Sequence, residues 1–169
     1  MHSIPYLARW CALAVVLVSC IGCDQLTKQL AIAELKGQPA RIYWGGAVRL
    51  EYAENPGAFL GLGGHLPPAA RWMAMVVCNG IVAAVIFMLL VARRQVSPLG
   101  FAAAALLLAG ALGNLIDRVS CDGLVIDFMN LGLGPVRTGI FNVADVAITA
   151  GAVCLAITSF AAEEPTVIE

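Results

Sequence analysis

Residues 140–160 read IFNVADVAITAGAVCLAITSF, 21 positions with a single charged side chain, Asp145. An α-helix needs about 20 predominantly apolar residues to cross a hydrocarbon core. The run therefore reads as a spanning helix, with Asp145 a carboxylate at membrane depth. A charge there costs about 2.5–3.5 kcal/mol even on the mildest insertion scale, so such residues are usually functional. Asp127 lies 18 residues earlier and closely follows another apolar run. Two carboxylates that converge can share a proton and act as an acid–base pair.

Three more segments pass the same length test. Residues 72–92 carry no charge for 21 positions and end at Arg93-Arg94, and residues 99–116 follow Pro98 and end at Asp117-Arg118. The first segment begins near Trp10 and has 14 uncharged residues before Asp24, so it reaches full length only by including Asp24 and Lys28. Between the first two helices, RIYWGGAVRLEYAE (residues 41–54) places β-branched and aromatic residues around a Gly-Gly turn. Val48, Leu50 and Tyr52 alternate with charged residues, the period of a half-buried strand. The expected fold is an all-α integral membrane protein of four transmembrane helices with a small extracytoplasmic β-sheet subdomain. Its single domain covers residues 1–162, with helices near 10–30, 69–92, 98–117 and 139–161 and a sheet segment near 35–68. Residues 119–139 are read as a second loop on the sheet's side, and residues 163–169 as a disordered tail.

Composition sets the limits. The chain of 169 residues is 60% hydrophobic and 12% charged, against roughly 45–50% apolar in soluble domains. The net charge of −1, with no basic cluster longer than Arg93-Arg94, argues against a nucleic-acid partner. Five of six cysteines fall in apolar runs, where they act as small hydrophobes, and Cys121 sits in a loop. Cys20 and Cys23 have CxxC spacing but no second pair or histidine cluster, so no metal site is expected. Leu17-Val-Ser-Cys20 resembles a lipoprotein cleavage box, yet three further apolar segments favour an uncleaved helix. Four spans put both termini on the side of Arg9, Arg93 and Arg94, which suits a cytoplasmic assignment, although Lys36, Arg41, Arg49 and Arg137 fall opposite.

The polar residues cluster. Asp24, Thr27 and Lys28 fall at i, i+3 and i+4 and are expected on one helix face, either as a local ion pair or lining a cleft. Asn114, Asp117 and Arg118 repeat that spacing, and Asn142 and Asp145 stand three apart. Asn55-Pro-Gly-Ala-Phe59 reads as a turn with an anchoring aromatic. Ala109 and Gly113, four apart, permit close helix packing. A proton channel or small transporter would spread its polar groups along a full path, and a structural subunit would leave their one-sided clustering unexplained.

These residues resemble the lipoprotein signal peptidases, or signal peptidase II. The motifs are Asp24-Gln-Leu-Thr-Lys28, Asn55-Pro-Gly-Ala-Phe59, Gly110 to Arg118, Val125-Ile-Asp-Phe128 and Phe141-Asn-Val-Ala-Asp145. They run in the family's order over residues 10–160, with one departure, a single alanine between Gly57 and Phe59 where members often have two. The resemblance implies a cofactor-free aspartic endopeptidase of the bacterial inner membrane, with both termini cytoplasmic and the active site extracytoplasmic. Its substrate would be a diacylglyceryl-modified prolipoprotein, cut before the lipidated cysteine. Membrane lipid and globomycin-type peptide inhibitors would be its other partners, and it would act as a monomer. The catalytic pair would be Asp127 and Asp145, supported by Asp24, Lys28, Asn55, Gly57, Phe59, Asn114, Asp117, Arg118 and Asn142.

Overall fold

The computed structural model describes residues 6–57, 64–92 and 97–162. Phe59, the Arg93-Arg94 pair and the tail 163–169 lie outside them. Four helices form the body: α1 (Tyr6–Leu35), α2 (Pro68–Ala92), α3 (Pro98–Ser120) and α4 (Val143–Ala162). All four are long and apolar enough to cross a membrane. Side chains such as Val18, Leu26, Met88, Val153 and Ile157 stand exposed on α1, α2 and α4, as lipid-facing surfaces require.

The central helix is α3, with buried positions running from Gly100 to Arg118, whereas α2 buries only Ala83 and Leu90 among its described residues. Small residues allow this centrality. A Cβ built on Gly110 would lie 2.5 Å from the Ala144 carbonyl oxygen, and one on Gly113 would lie 2.8 Å from Asp24 Oδ2. These glycines therefore let α4 and α1 approach the α3 backbone directly.

Helix α1 has 30 residues, about 45 Å at 1.5 Å per residue, against a core about 30 Å thick. It thus extends five residues beyond the expected end, and its last turns carry the sheet. Ala31 and Leu35 pack against Phe128, Leu50, Tyr52 and Met129. The sheet is antiparallel in the order β1 (Arg41–Tyr43), β2 (Val48–Asn55), β3 (Val125–Leu133) and β4 (Val136–Arg137).

Two expectations need correction. Residues 119–139 are not simply a loop, because they supply β3 at the sheet's centre, and β4. After α3, Asp122 and Gly123 adopt positive φ (51° and 82°), which turns the chain sharply into β3. Val125, Ile126, Asp127 and Phe128 are all buried, so β3 lacks the in–out alternation that marks a half-buried strand. Secondly, α4 starts at Val143 rather than near residue 139, since Phe141 bridges to Met129 as an extension of the sheet. Asp145 therefore lies in the helix's first turn, not a turn deep in a span.

Candidate active site

At the end of the bundle under the sheet, side chains from α1, α3, β2, β3 and α4 meet. Among them Lys28 is only 1% exposed. Its ammonium lies 2.7 Å from Asp24 Oδ2 and 2.8 Å from Asp117 Oδ2, and donates to Asn114 Oδ1 at 3.2 Å. All three donors are used, as a buried charge requires. Asp117 Oδ2 also accepts the Ile126 N–H at 3.0 Å, which ties α3 to the start of β3. Asp24 Oδ1 accepts the Ala144 N–H at 2.8 Å, satisfying a free donor at the α4 N-terminus.

Asn142 and Asp145 form a reciprocal cap on α4. The Asp145 N–H donates to Asn142 Oδ1 at 2.9 Å, and the Asn142 N–H donates to Asp145 Oδ2 at 3.1 Å. This is the capping-box arrangement, with an acid three residues after the cap. The Asn142 Nδ2 also donates to Asp127 Oδ1 at 2.6 Å, so one amide side chain holds both aspartates. Asn114 Nδ2 donates to Asp145 Oδ1 at 3.0 Å, linking the second acid to the lysine cluster.

Asp127 sits on β3 beside a register shift in β2 between Leu50 and Ala53. Nearby, the Phe128 and Met129 N–H groups both donate to the Phe141 carbonyl, so two β3 residues face one partner. Such bulges re-aim strand side chains near functional sites. Asp127 Oδ2 accepts from Asn55 Nδ2 at 3.0 Å, and Asn55 Oδ1 accepts the Gly57 N–H at 3.0 Å. The Gly57 carbonyl in turn accepts from the Arg118 guanidinium at 3.2 Å. Asp127 is 2% exposed, and burial pushes its carboxyl up to about 6. The neighbouring Asp145 charge adds to that rise, while the Asn55 and Asn142 hydrogen bonds and Lys28 act against it. Asp145 is only half-buried.

The structure thus brings together Asp24, Lys28, Asn55, Gly57, Asn114, Asp117, Arg118, Asp127, Asn142 and Asp145, while Phe59 falls outside the described residues. Thr27 does not share the inward face. It is partly exposed, and its hydroxyl bonds back to the Cys23 and Asp24 carbonyls at 2.7 and 2.9 Å. Gln25 takes the place expected of it, and its Nε2 donates to Asp117 Oδ1 at 2.9 Å and to Asp24 Oδ2 at 3.2 Å. A wide inward face that also takes the residue next to Asp24 would have exposed it in the sequence. Among the described residues, no group of three or more His, Cys, Asp or Glu is arranged to hold a metal ion.

The arrangement provides two carboxylates that both accept from Asn142, Asp127 from its side-chain amide and Asp145 from its backbone N–H, one buried and one half-buried, beside a lysine already saturated by its own partners. Residues 16–161 match the family model described as signal peptidase (SPase) II. A lipoprotein signal peptidase of Rhodococcus jostii is 35% identical over 152 residues, covering 86% of this chain and 70% of that protein. One from Sphingopyxis alaskensis is 37% identical, covering 78% of this chain and 75% of its own length. A solved bacterial membrane enzyme superposes with a TM-score of 0.81 at 24% identity, covering 100% of this chain and 98% of that one.

Proposed function

Because this chain belongs to the signal peptidase II family and is a multi-pass bacterial membrane protein, we propose that it is an aspartic endopeptidase acting on prolipoproteins. It removes the signal peptide just before the diacylglyceryl-modified cysteine. The observation that carries this reading is the joint hold of Asn142 on Asp127 and Asp145.

The unequal surroundings of the two acids support different roles for them. Buried Asp127 retains a proton to higher pH and donates it to the scissile carbonyl oxygen. Half-buried Asp145 takes a proton from water, and the resulting hydroxide oxygen attacks the carbonyl carbon. The tetrahedral diol then collapses as Asp145 returns its proton to the leaving nitrogen and Asp127 recovers one from the diol. Protons balance over the cycle and the dyad ends as it began. Asn55 and Asn142 fix the Asp127 carboxyl by one bond to each oxygen. Lys28 with Asp24 and Asp117, and Arg118 through Gly57, position the elements that carry the acids.

Both termini are assigned to the cytoplasm, which puts the dyad and the sheet at the extracytoplasmic face of the inner membrane. The substrate's acyl chains then lie in the bilayer between helices, where globomycin-type peptides compete for the same cleft. The monomer contains every residue this chemistry uses. The test is cleavage of a lipidated and an unlipidated prolipoprotein by purified protein, beside Asp127→Asn and Asp145→Asn. Cutting of the lipidated form alone, lost in both variants, is expected. Normal processing by either variant refutes the dyad, and proton flux in proteoliposomes without cleavage would indicate a channel instead.

A further inference from the structure

A carboxylate holds the backbone immediately before each of the paired acids. Ile126, next before Asp127, donates its N–H to Asp117 Oδ2 at 3.0 Å. Ala144, next before Asp145, donates its N–H to Asp24 Oδ1 at 2.8 Å. One anchor stands on α3 and the other on α1, so their separation bears directly on how β3 and the first turn of α4 stand to each other. Two side chains of α1 join the anchors. Lys28 Nζ lies 2.7 Å from Asp24 Oδ2 and 2.8 Å from Asp117 Oδ2. Gln25 makes the second link. Its Nε2 donates to Asp117 Oδ1 at 2.9 Å and to Asp24 Oδ2 at 3.2 Å, with the Gly113 carbonyl at 3.3 Å. All three partners are acceptors, so the amide must present its nitrogen to them. Gly113 leaves room for the arrangement, since a Cβ there would lie 2.8 Å from Asp24 Oδ2.

The lysine alone leaves this joint loose. It grips Asp117 at Oδ2, the oxygen that also carries the Ile126 N–H, and its third hydrogen goes to Asn114. A carboxylate held at one oxygen can still turn about its Cβ–Cγ bond. Among the described residues, the donor to Asp117 Oδ1 is Gln25, which holds the group at both oxygens. The amide does this without adding charge to a buried cluster of two carboxylates and one ammonium. On the peptidase reading of the dyad, we propose that Gln25 is a positioning residue, which with Lys28 forms a double tie between Asp117 and Asp24 and so sets the spacing of Asp127 and Asp145. Its hydrogen bonds go to neither acid of the dyad, so its loss should act on kcat and leave KM unchanged.

The test compares Gln25→Met, which keeps the length of the side chain and removes its donor, with Gln25→Glu, which carries a donor only while protonated. For each purified full-length protein, kcat and KM are measured on a lipidated prolipoprotein, and backbone amide exchange is followed in detergent. In Gln25→Met, kcat should fall about 10- to 100-fold, the scale of misplacing reacting groups by up to about 1 Å, with KM unchanged. Exchange should quicken about 10-fold at Ile126 and Ala144, the effect of loosening bonds to charged acceptors, and stay at the wild-type rate at Ala83 in α2. A merely structural loss would quicken all three. Gln25→Glu should outperform Gln25→Met at about pH 5, where a glutamate can regain its proton. Wild-type kcat in Gln25→Met, unchanged exchange at Ile126 and Ala144, or equal quickening at Ala83 overturns the proposal. So does a Gln25→Glu protein no better than Gln25→Met at about pH 5. A wild type that leaves the prolipoprotein uncut overturns the peptidase reading instead, and exchange at the two amides then decides the tie by itself.

Discussion

Replacing Asp127 by asparagine should make the protein inactive and, at neutral pH, relatively more stable. In the folded state burial and the Asp145 charge push the Asp127 carboxyl up to about 6, from 3.8. The folded state therefore binds this proton more tightly than the unfolded chain. Stability from Asp127 is fully present below about pH 4 and is lost as pH rises through about 6. About two pKa units at 1.36 kcal/mol each make the loss about 3 kcal/mol by neutral pH. Asparagine carries no charge, so its variant escapes that loss. It does forfeit a hydrogen bond, because Asn55 and Asn142 both donate to this side chain. Neither partner can turn its amide over freely, since Asn55 Oδ1 already accepts from Gly57 and Asn142 Oδ1 from Asp145. The lost bond costs about 1–3 kcal/mol at every pH. The quantity to measure is thus the stability difference between variant and wild type, by denaturant titration in detergent at several pH values. That difference should move in the variant's favour by about 3 kcal/mol between about pH 4 and about pH 7. Cleavage should fall at least about 100-fold, the usual scale of an essential acid–base group. A difference that stays flat with pH, or moves the other way, would refute the account of Asp127 as a desolvated acid.

Three further outcomes follow from other parts of the site. Lys28→Met leaves Asp24 and Asp117 buried without their shared cation, and should lower stability by about 3–5 kcal/mol in thermal unfolding. Gly110→Ala drives a Cβ against the Ala144 carbonyl and the Ile148 side chain, and should cost about 1–3 kcal/mol. Gly22→Ala, with nothing within 4 Å, is the matched control and should be neutral or slightly stabilising. Lastly, kcat/KM of the wild type should decline as pH rises through about 6, because the active form needs the Asp127 proton. A pH-independent rate across that range would contradict the assigned roles.

The membrane class and the four helices were legible because predominantly apolar runs of about 20 residues mark bilayer-spanning helices. Boundaries were less so, and for identifiable reasons. Strand β3 hides because it is buried on both faces, so Val125 to Phe128 show no alternation. The start of α4 hides because Ile140 and Phe141 are as apolar as the helix, and only the Asn142–Asp145 cap marks the change. A capping-box reading of Asn-x-x-Asp would have found it. Asp127 stands out in the sequence through its pairing with Asp145, since taken alone it reads as an ordinary loop acid. Gln25 went unread because its partner on α3, Asp117, stands 92 positions along the chain, and local spacing carries no trace of α3.

The pairing of Asp24 with Lys28 also bears on how the chain is made. Helix α1 leaves the ribosome long before α3, and it must enter the bilayer carrying two opposite charges. Standing four residues apart and 2.7 Å from each other, they can neutralise one another within a single helix, with no help from the rest of the chain. Asp117 joins that lysine only when α3 arrives, and the Ala144 N–H reaches Asp24 Oδ1 from 120 residues downstream. Helices α3 and α4 thus each find a charged atom of α1 still open to them, and Asp127 and Asp145 meet only after the last transmembrane segment has been synthesised.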